Sequence, residues 1–181
     1  MKAKVSPGLI DDVVSYSPVR HSDFRGHLTK PFSQEEQKTP LFDVREVFYS
    51  QSHRGVLRGM HLQVGPHINE RIVVLVSGRI LDVTLDLRSQ SKTFLNYQVI
   101  DLKVPELTCA YIPAGVAHGF MALESSTTLY LSSKAHSTEY DVGIDALSFG
   151  FDWASESSIR SERDKHLPSL EEWLRDAPHV P

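Results

Sequence analysis

The stretch Gly55-Val56-Leu57-Arg58-Gly59-Met60-His61-Leu62-Gln63 puts a cation, an imidazole and an amide on one short apolar run between glycines. Histidine titrates near neutrality, which makes His61 a candidate general base. A second run, Ile112-Pro113-Ala114-Gly115-Val116-Ala117-His118-Gly119-Phe120, reads as another rim of the same pocket. A lone histidine beside a core strand is more often a satisfied structural residue than a catalyst. Two of them, each near glycine and close to arginine or proline turns, shift the balance towards chemistry. A histidine base works better when a carboxylate fixes its tautomer and stabilises its cation. Periodicity does not select that carboxylate from the 23 acidic residues.

Other chemistries fare worse. A catalytic metal needs about three protein ligands converging on one point. His61, His67, His118 and Glu70 invite that reading, yet the position two after His61 holds Gln63, a poor ligand. His67 lies in a loop flanked by Pro66. Neither a metal nor another cofactor is expected. Cys109, followed by Ala110 in an apparent core strand, reads as a buried, inert thiol. The chain has no Gly-x-Ser-x-Gly elbow and no phosphate-cradling glycine loop. Acid–base chemistry without a cofactor remains.

The elements that must hold these groups are strands. Arg71 to Val76 is rich in branched residues, Ser77-Gly78 breaks it, and Ile80 to Leu87 alternates. There Leu81, Val83, Leu85 and Leu87 point one way and Asp82, Thr84 and Asp86 the other. Further strands are expected at Leu9 to Tyr16, His27 to Phe32, Phe42 to Ser50, Gly55 to Gln63, Phe94 to Leu102, Leu107 to Ile112, Val116 to Leu123 and Thr127 to Ser133. His21 to Gly26 reads as a turn, Ser33 to Pro40 as a loop and Ser155 to Arg163 as irregular. Pro168 to Arg175 reads as a short terminal helix whose apolar face is Leu170, Trp173 and Leu174. This spacing predicts an all-β barrel or sandwich.

A chain of 181 residues suits one domain, taken as 1–181. Its 19 basic and 23 acidic residues give a net charge of -4, a poor balance for sequence-independent nucleic-acid binding. With one cysteine it can form no internal disulfide, which suits a reducing compartment. No signal peptide or membrane span is read from the sequence, and a cytoplasmic protein is expected.

Several runs resemble the dTDP-4-dehydrorhamnose 3,5-epimerase family. They are Asp23-Phe24-Arg25-Gly26, the two histidine runs, Asp82-Val83-Thr84-Leu85-Asp86-Leu87-Arg88, and Ser161-Glu162-Arg163-Asp164 followed by Leu167-Pro168-Ser169-Leu170. The resemblance spans residues 9 to 170 in the family order. It implies a cupin-like jelly-roll β-sandwich with a few short helices, working as a homodimer and without a metal. It implies a nucleoside-diphosphate 4-keto-6-deoxy sugar as substrate, inverted at C3, C5 or both through an enolate on the C4 oxygen. Carried over by position, His61 is the base, Asp164 the carboxylate that orients it, and Tyr130 the acid on the opposite face. His118 is the second pocket histidine. Arg58 contacts the diphosphate, as does Arg25, reaching across the dimer interface. Gln63, Arg71, Glu46, Asp141 and Arg163 complete the implied substrate contacts.

The chain departs from the family at several places. Arg71 stands where the family usually has a lysine, Leu28-Thr29-Lys30 where it has Phe-x-Glu, and Glu46-Val47-Phe48 where it has Gln-x-Asn. Ala135 or His136 takes the place of an aromatic. These changes are expected in the sugar and base pocket. They keep open a single-carbon epimerase, a ketoisomerase of this fold, or a non-catalytic sugar-binding sandwich. Arg58 and His61 are an odd number of residues apart, which on a regular strand means opposite faces. If both serve one substrate, the strand must be irregular near Gly59, or Arg58 must reach over from the rim.

Overall fold

Two β-sheets face one another in the computed structural model, which describes residues 5–7, 9–33, 42–106, 108–153, 158–176 and 180. In chain order the strands are β1 (Val5–Pro7), β2 (Val14–Tyr16), β3 (Arg20–Asp23), β4 (Gly26–Thr29), β5 (Glu46–Ser52), β6 (Leu57–Gln63) and β7 (Arg71–Ser77). They continue with β8 (Arg79–Asp86), β9 (Tyr97–Lys103), β10 (Cys109–Ile112), β11 (Val116–Ala122), β12 (Ser126–Ser132) and β13 (Asp141–Gly143). Two short helices, α1 (Glu162–Lys165) and α2 (Leu170–Asp176), lie near the C-terminus. One sheet runs β1-β2-β10-β7-β12-β5 and the other β13-β6-β11-β8-β9. From β5 to β12 the chain changes sheet at every connection except the β8–β9 hairpin. That is the two-sheet jelly-roll sandwich expected.

The core has three parts. Between the sheets lie Val73, Leu75, Ile80, Ile100, Phe120 and Tyr130. The outer face of the second sheet carries Leu57, Met60, Leu85 and Ile144, covered by Trp153 and by Trp173 of α2. The outer face of the first sheet carries Tyr16, Ile72, Val74 and Tyr111, covered by Phe42. Both faces of the central strands of each sheet are therefore covered. This explains a departure from the simple alternation of β8: Asp82, Thr84 and Asp86 do face away from Val83 and Leu85, but into the sandwich, where all three are fully buried. Cys109 is buried as expected, and burial pushes its thiol up to about 12.

Some elements differ from expectation. Residues 10–13 turn, closed by the Val13 N–H donating to the Ile10 carbonyl (3.2 Å), so only Val14–Tyr16 is strand. The supposed turn at His21 to Gly26 is the heart of a two-stranded hairpin, with Arg20 paired to Thr29, and β4 stops at Thr29 rather than Phe32. Strands β1 and β13 are too short to show a periodicity. Within the stretch read as irregular, Glu162 and Arg163 open α1, whose cap is Ser161, its Oγ accepting from the Asp164 N–H at 3.1 Å. The expected loop at 34–40 and position Leu107 lie outside the described residues. Helix α2 starts with a Ser169/Glu172 capping box. Trp173 is buried and Leu170 packs beside it, while Leu174 is exposed rather than part of the apolar face.

Candidate active site

A pocket of about 240 Å³ opens between the sheets. His61, Arg58 and Gln63 of β6 and His118 of β11 line one wall; Glu46 of β5, Arg71 of β7 and Tyr130 of β12 line the other. Asp141 and Arg163 close one side. Strand β6 reaches this arrangement by breaking its own period. His61 pairs with His118 and Arg58 pairs with Phe120, so three steps on β6 match two on β11. The extra residue is a bulge, and it returns Arg58 and His61 to one face. Gly59 sits in it at φ +119°, a left-handed value, and the Gly59–Met60 peptide is cis. A Cβ on Gly59 would lie 2.5 Å from the Cα of Gly119 on the neighbouring strand. Arg58 also stands at the rim. It is exposed, and its Nε donates to Ser52 Oγ (3.0 Å) while Nη2 donates to the Gln51 carbonyl (3.2 Å).

His61 Nε2 lies 2.8 Å from Asp164 Oδ1. The other carboxylate oxygen accepts from the Gly59 N–H at 3.2 Å. The bulge thus supplies a donor to the carboxylate as well as the turn of the strand. Asp164 is 5% exposed at its side chain and His61 25%. Burial works against ionisation of Asp164, but the hydrogen bond and charge of His61, with the Gly59 and Ser161 contacts, hold it below the usual carboxylate range. With Nε2 engaged, Nδ1 is the His61 nitrogen left for a substrate.

A second pair stands beside the first. His118 Nε2 is 2.7 Å from Asp82 Oδ2, and both side chains are buried. Opposite, Tyr130 is buried and stacks on Phe48 at 4.7 Å between centroids. Burial pushes its phenol well above the ordinary value, Asp82 adding to the effect, so the group holds its proton at neutral pH. Burial lowers the value of the Arg71 guanidinium against the pull of Asp141 and Tyr130; an arginine starts so high that it keeps its charge. Arg71 Nε donates to Asn69 Oδ1 at 3.3 Å. Asp141 is occupied by its neighbours: Arg163 Nη1 is at 2.6 Å and His136 Nε2 at 3.3 Å. Burial opposes its ionisation, and the Arg163 charge and the His136 bond outweigh it. Gln63 Oε1 accepts from the Ser137 N–H at 3.0 Å, and Glu46 Oε2 from the His136 N–H at 3.1 Å.

The structure gathers His61, Asp164, Tyr130, Arg58, Gln63, Arg71, His118, Glu46, Asp141 and Arg163 at this pocket. It does not bring Arg25 there. Arg25 lies at the tip of the β3–β4 hairpin, 77% exposed and paired with Asp23 at 2.6 Å. Leu28 and Lys30 belong to the same hairpin region, so their departures from the family pattern lie away from this chain's pocket, while those at Glu46, Phe48, Arg71 and His136 line it. Sequence reasoning assigned no role to Asp82. The available signal was a carboxylate facing inward from a strand whose other face is apolar. The Gly59 N–H and the Phe48 ring on Tyr130 had no sequence signal.

Fold and site together define a cupin-like sandwich whose pocket sets a histidine–aspartate pair on one wall and a protonated phenol on the other, groups that can exchange protons with a molecule between them. The family model for dTDP-4-dehydrorhamnose 3,5-epimerase matches residues 8–172. A dTDP-4-dehydrorhamnose 3,5-epimerase of Mycolicibacterium smegmatis is 34% identical over 161 residues, 86% of this chain and 80% of that protein. The crystal structure of dTDP-4-dehydrorhamnose 3,5-epimerase from Sulfolobus tokodaii superposes with a TM-score of 0.88 at 33% identity, covering 95% of this chain and 97% of that one. A 3'-monoepimerase from Streptomyces bikiniensis, solved in complex with dTDP-quinovose, also gives 0.88 at 30% identity, over 97% and 91% of the two chains. The chain belongs to the dTDP-4-dehydrorhamnose 3,5-epimerase family, and it is an isomerase of the epimerase type.

Proposed function

We propose that the protein inverts C3, C5 or both in a dTDP-linked 4-keto-6-deoxyhexose by proton removal and return. The observation that carries this reading is the His61–Asp164 pair at 2.8 Å, set across the pocket from a phenol that keeps its proton. His61 Nδ1 takes the proton from the carbon beside the C4 ketone. The electron pair moves onto the C4 oxygen as an enolate, and Asp164 stabilises the imidazolium. Tyr130 delivers a proton to the opposite face of that carbon, inverting it. The Tyr130 phenolate and His61 imidazolium then return to their starting forms by exchange with solvent. Arg71, a fixed cation in the pocket, serves the enolate oxygen, and Arg58 at the rim serves the diphosphate.

A pocket of about 240 Å³ has room for the sugar but not for a whole nucleotide sugar. The nucleotide therefore lies beyond the Arg58 rim, along the edge strand β5. Val47 and Tyr49 are exposed on that strand and Phe24 at the hairpin tip. We propose that a second copy of the chain covers this edge and brings Arg25 to the diphosphate, which gives a homodimer working in the cytoplasm. Among the described residues no helix is long and apolar enough to cross a membrane.

Likeness to a 3'-monoepimerase favours a second reading, inversion at C3 alone. One experiment separates the two. The protein is incubated with dTDP-4-keto-6-deoxyglucose in deuterium oxide, and the C3 and C5 protons are followed by NMR. Exchange at both carbons supports double epimerisation, and exchange at one supports the restricted enzyme. No exchange with any 4-keto-6-deoxy nucleotide sugar would sink both.

A further inference from the structure

Arg160 does not line the pocket, yet its guanidinium touches the chain on either side of the His61–Asp164 pair. Its side chain is 9% exposed. The single nitrogen Nη2 donates to Asp145 Oδ1 at 2.5 Å and to the backbone carbonyl of Asp164 at 2.5 Å. Its Nε is buried and has no partner among the described residues. A buried cation with an unpaired N–H is a poor device for stability, because desolvation offsets most of the attraction and apolar replacements often do as well. What the group does achieve is a fixed geometry between two elements.

Those elements carry the two members of the pair. Asp145 follows β13, which is bonded to β6 along its length. Just before Asp145, the Ile144 N–H donates to the Met60 carbonyl (3.0 Å) and the Met60 N–H donates to the Ile144 carbonyl (3.1 Å). Met60 adjoins His61, so Asp145 is tied by backbone to the strand that holds the base. Asp164 belongs to α1, a helix of four residues. One turn does not hold its own conformation in water. The start of α1 is fixed by Ile159, which bridges to Val56, and by the Ser161 cap. Its far end presents the Asp164 carbonyl, which lies among the helix-end acceptors left without an intrahelical donor. Arg160 supplies that donor and joins it to Asp145.

We propose that Arg160 is a positioning residue: by clamping the Asp164 carbonyl to Asp145, it holds the Asp164 carboxylate at bonding distance from His61 and so keeps the base in its working tautomer and orientation. The proposal rests on the reading of His61 as the base, and its test has a readout that does not depend on turnover. In the wild-type protein the Nε2–H of His61, held on Asp164, gives a low-field proton NMR line, assigned by its absence from His61→Asn. The Arg160→Met variant keeps the length of the side chain and removes the cation. It is expected to fold as wild type by circular dichroism, to lose that line, and to lose kcat roughly 10- to 100-fold with little change in KM, as a small misplacement of a catalytic group does. Arg160→Lys, which restores a donor, is expected to recover part of both.

A folded Arg160→Met protein with the line and kcat of wild type overturns the clamp. So does a wild-type protein without the line. If Arg160→Met does not fold, Asp145→Asn removes the anion at constant volume. Loss of the line there supports the proposal, and a retained line with wild-type kcat overturns it. Should the wild type exchange no proton of any nucleotide sugar, the proposed function falls, while loss of the line in Arg160→Met still supports the clamp.

Discussion

His61 is bonded through Nε2, and that one contact sets what each residue of the pair can do. Replacing His61 with Asn removes the base and keeps the size of the group. The expected outcome is a loss of ~10²- to 10⁴-fold in solvent-deuterium exchange with the fold intact. Exchange at the wild-type rate would place the base elsewhere, with His118 next in line. Asp164→Asn keeps an acceptor beside Nε2 but cannot stabilise the imidazolium. It should lower kcat less than the loss of His61, by roughly 10²-fold, and leave ligand affinity measured by calorimetry near wild type. An unaltered kcat would make Asp164 and its helix mere packing.

At the scale of elements, the bulge in β6 decides the site. It puts Arg58 and His61 on one face and aims the Gly59 N–H at Asp164. A Cβ at Gly59 meets the backbone of β11, 2.5 Å from Gly119 Cα and 2.9 Å from the His118 carbonyl oxygen, at a φ of +119°. Gly59→Ala should therefore cost about 2–4 kcal/mol in urea denaturation, the sum of strain and overpacking, and should reduce activity in whatever fraction folds. A stability within experimental error of wild type would show that β6 can be rebuilt as a regular strand.

The loop from β8 to β9 is held in a different way. Asp86 is fully buried and accepts from Arg88 Nε and Nη2 at 2.9 Å each, from Ser91 Oγ at 2.6 Å and from Thr93 Oγ1 at 2.7 Å. Burial alone would raise its value, but these donors together, Arg88 foremost, hold it below the ordinary 3.8. A depressed carboxylate contributes stability that is complete above its unfolded value and is lost as pH falls through the folded one. Asp86→Asn should thus be less stable at neutral pH by roughly 1–3 kcal/mol. The gap to wild type should close below pH ~4. A constant gap across that range would mean that shape, not charge, makes the contribution.

At the scale of the whole molecule, the site is a product of the sandwich. Its walls come from strands that belong to different sheets, from Glu46 of β5 to Asp141 of β13. Arg25 lies outside this chain's own pocket, and the proposed homodimer, with a second copy at the exposed β5 edge, is what would bring it in. Sedimentation is expected to give twice the 20.4 kDa of the chain. Arg25→Ala should leave that mass unchanged and raise KM for the nucleotide sugar about 10-fold, the scale of one charge-assisted contact. A monomer at working concentration, or an Arg25→Ala enzyme with wild-type KM, would remove Arg25 from the site.

Two strands were legible in the sequence by itself: Arg71–Ser77 from its run of branched residues, which suit a pleated, buried surface, and Arg79–Asp86 from the alternation of apolar and polar side chains that the two-residue repeat of a strand imposes. The sequence also determined the central histidine run, since glycines beside a titratable group mark where backbone must bend around chemistry, and the conflict between Arg58 and His61 foretold the bulge. Order and spacing of several runs carried the family. The family runs already matched Asp164 to His61; the other partnerships came from tertiary packing alone. Asp164 is 103 residues from His61 and Asp82 is 36 from His118, and no local pattern records which carboxylate a fold will deliver to which imidazole. The same holds for Arg160, an ordinary charged residue in a polar stretch until Asp145 and the end of α1 close on it. It holds as well for Asp86, whose burial depends on a loop folding back over the strand end. Periodicity reports which face a residue takes. Which groups meet across that face is settled by the packing of the two sheets, where distance along the chain no longer counts.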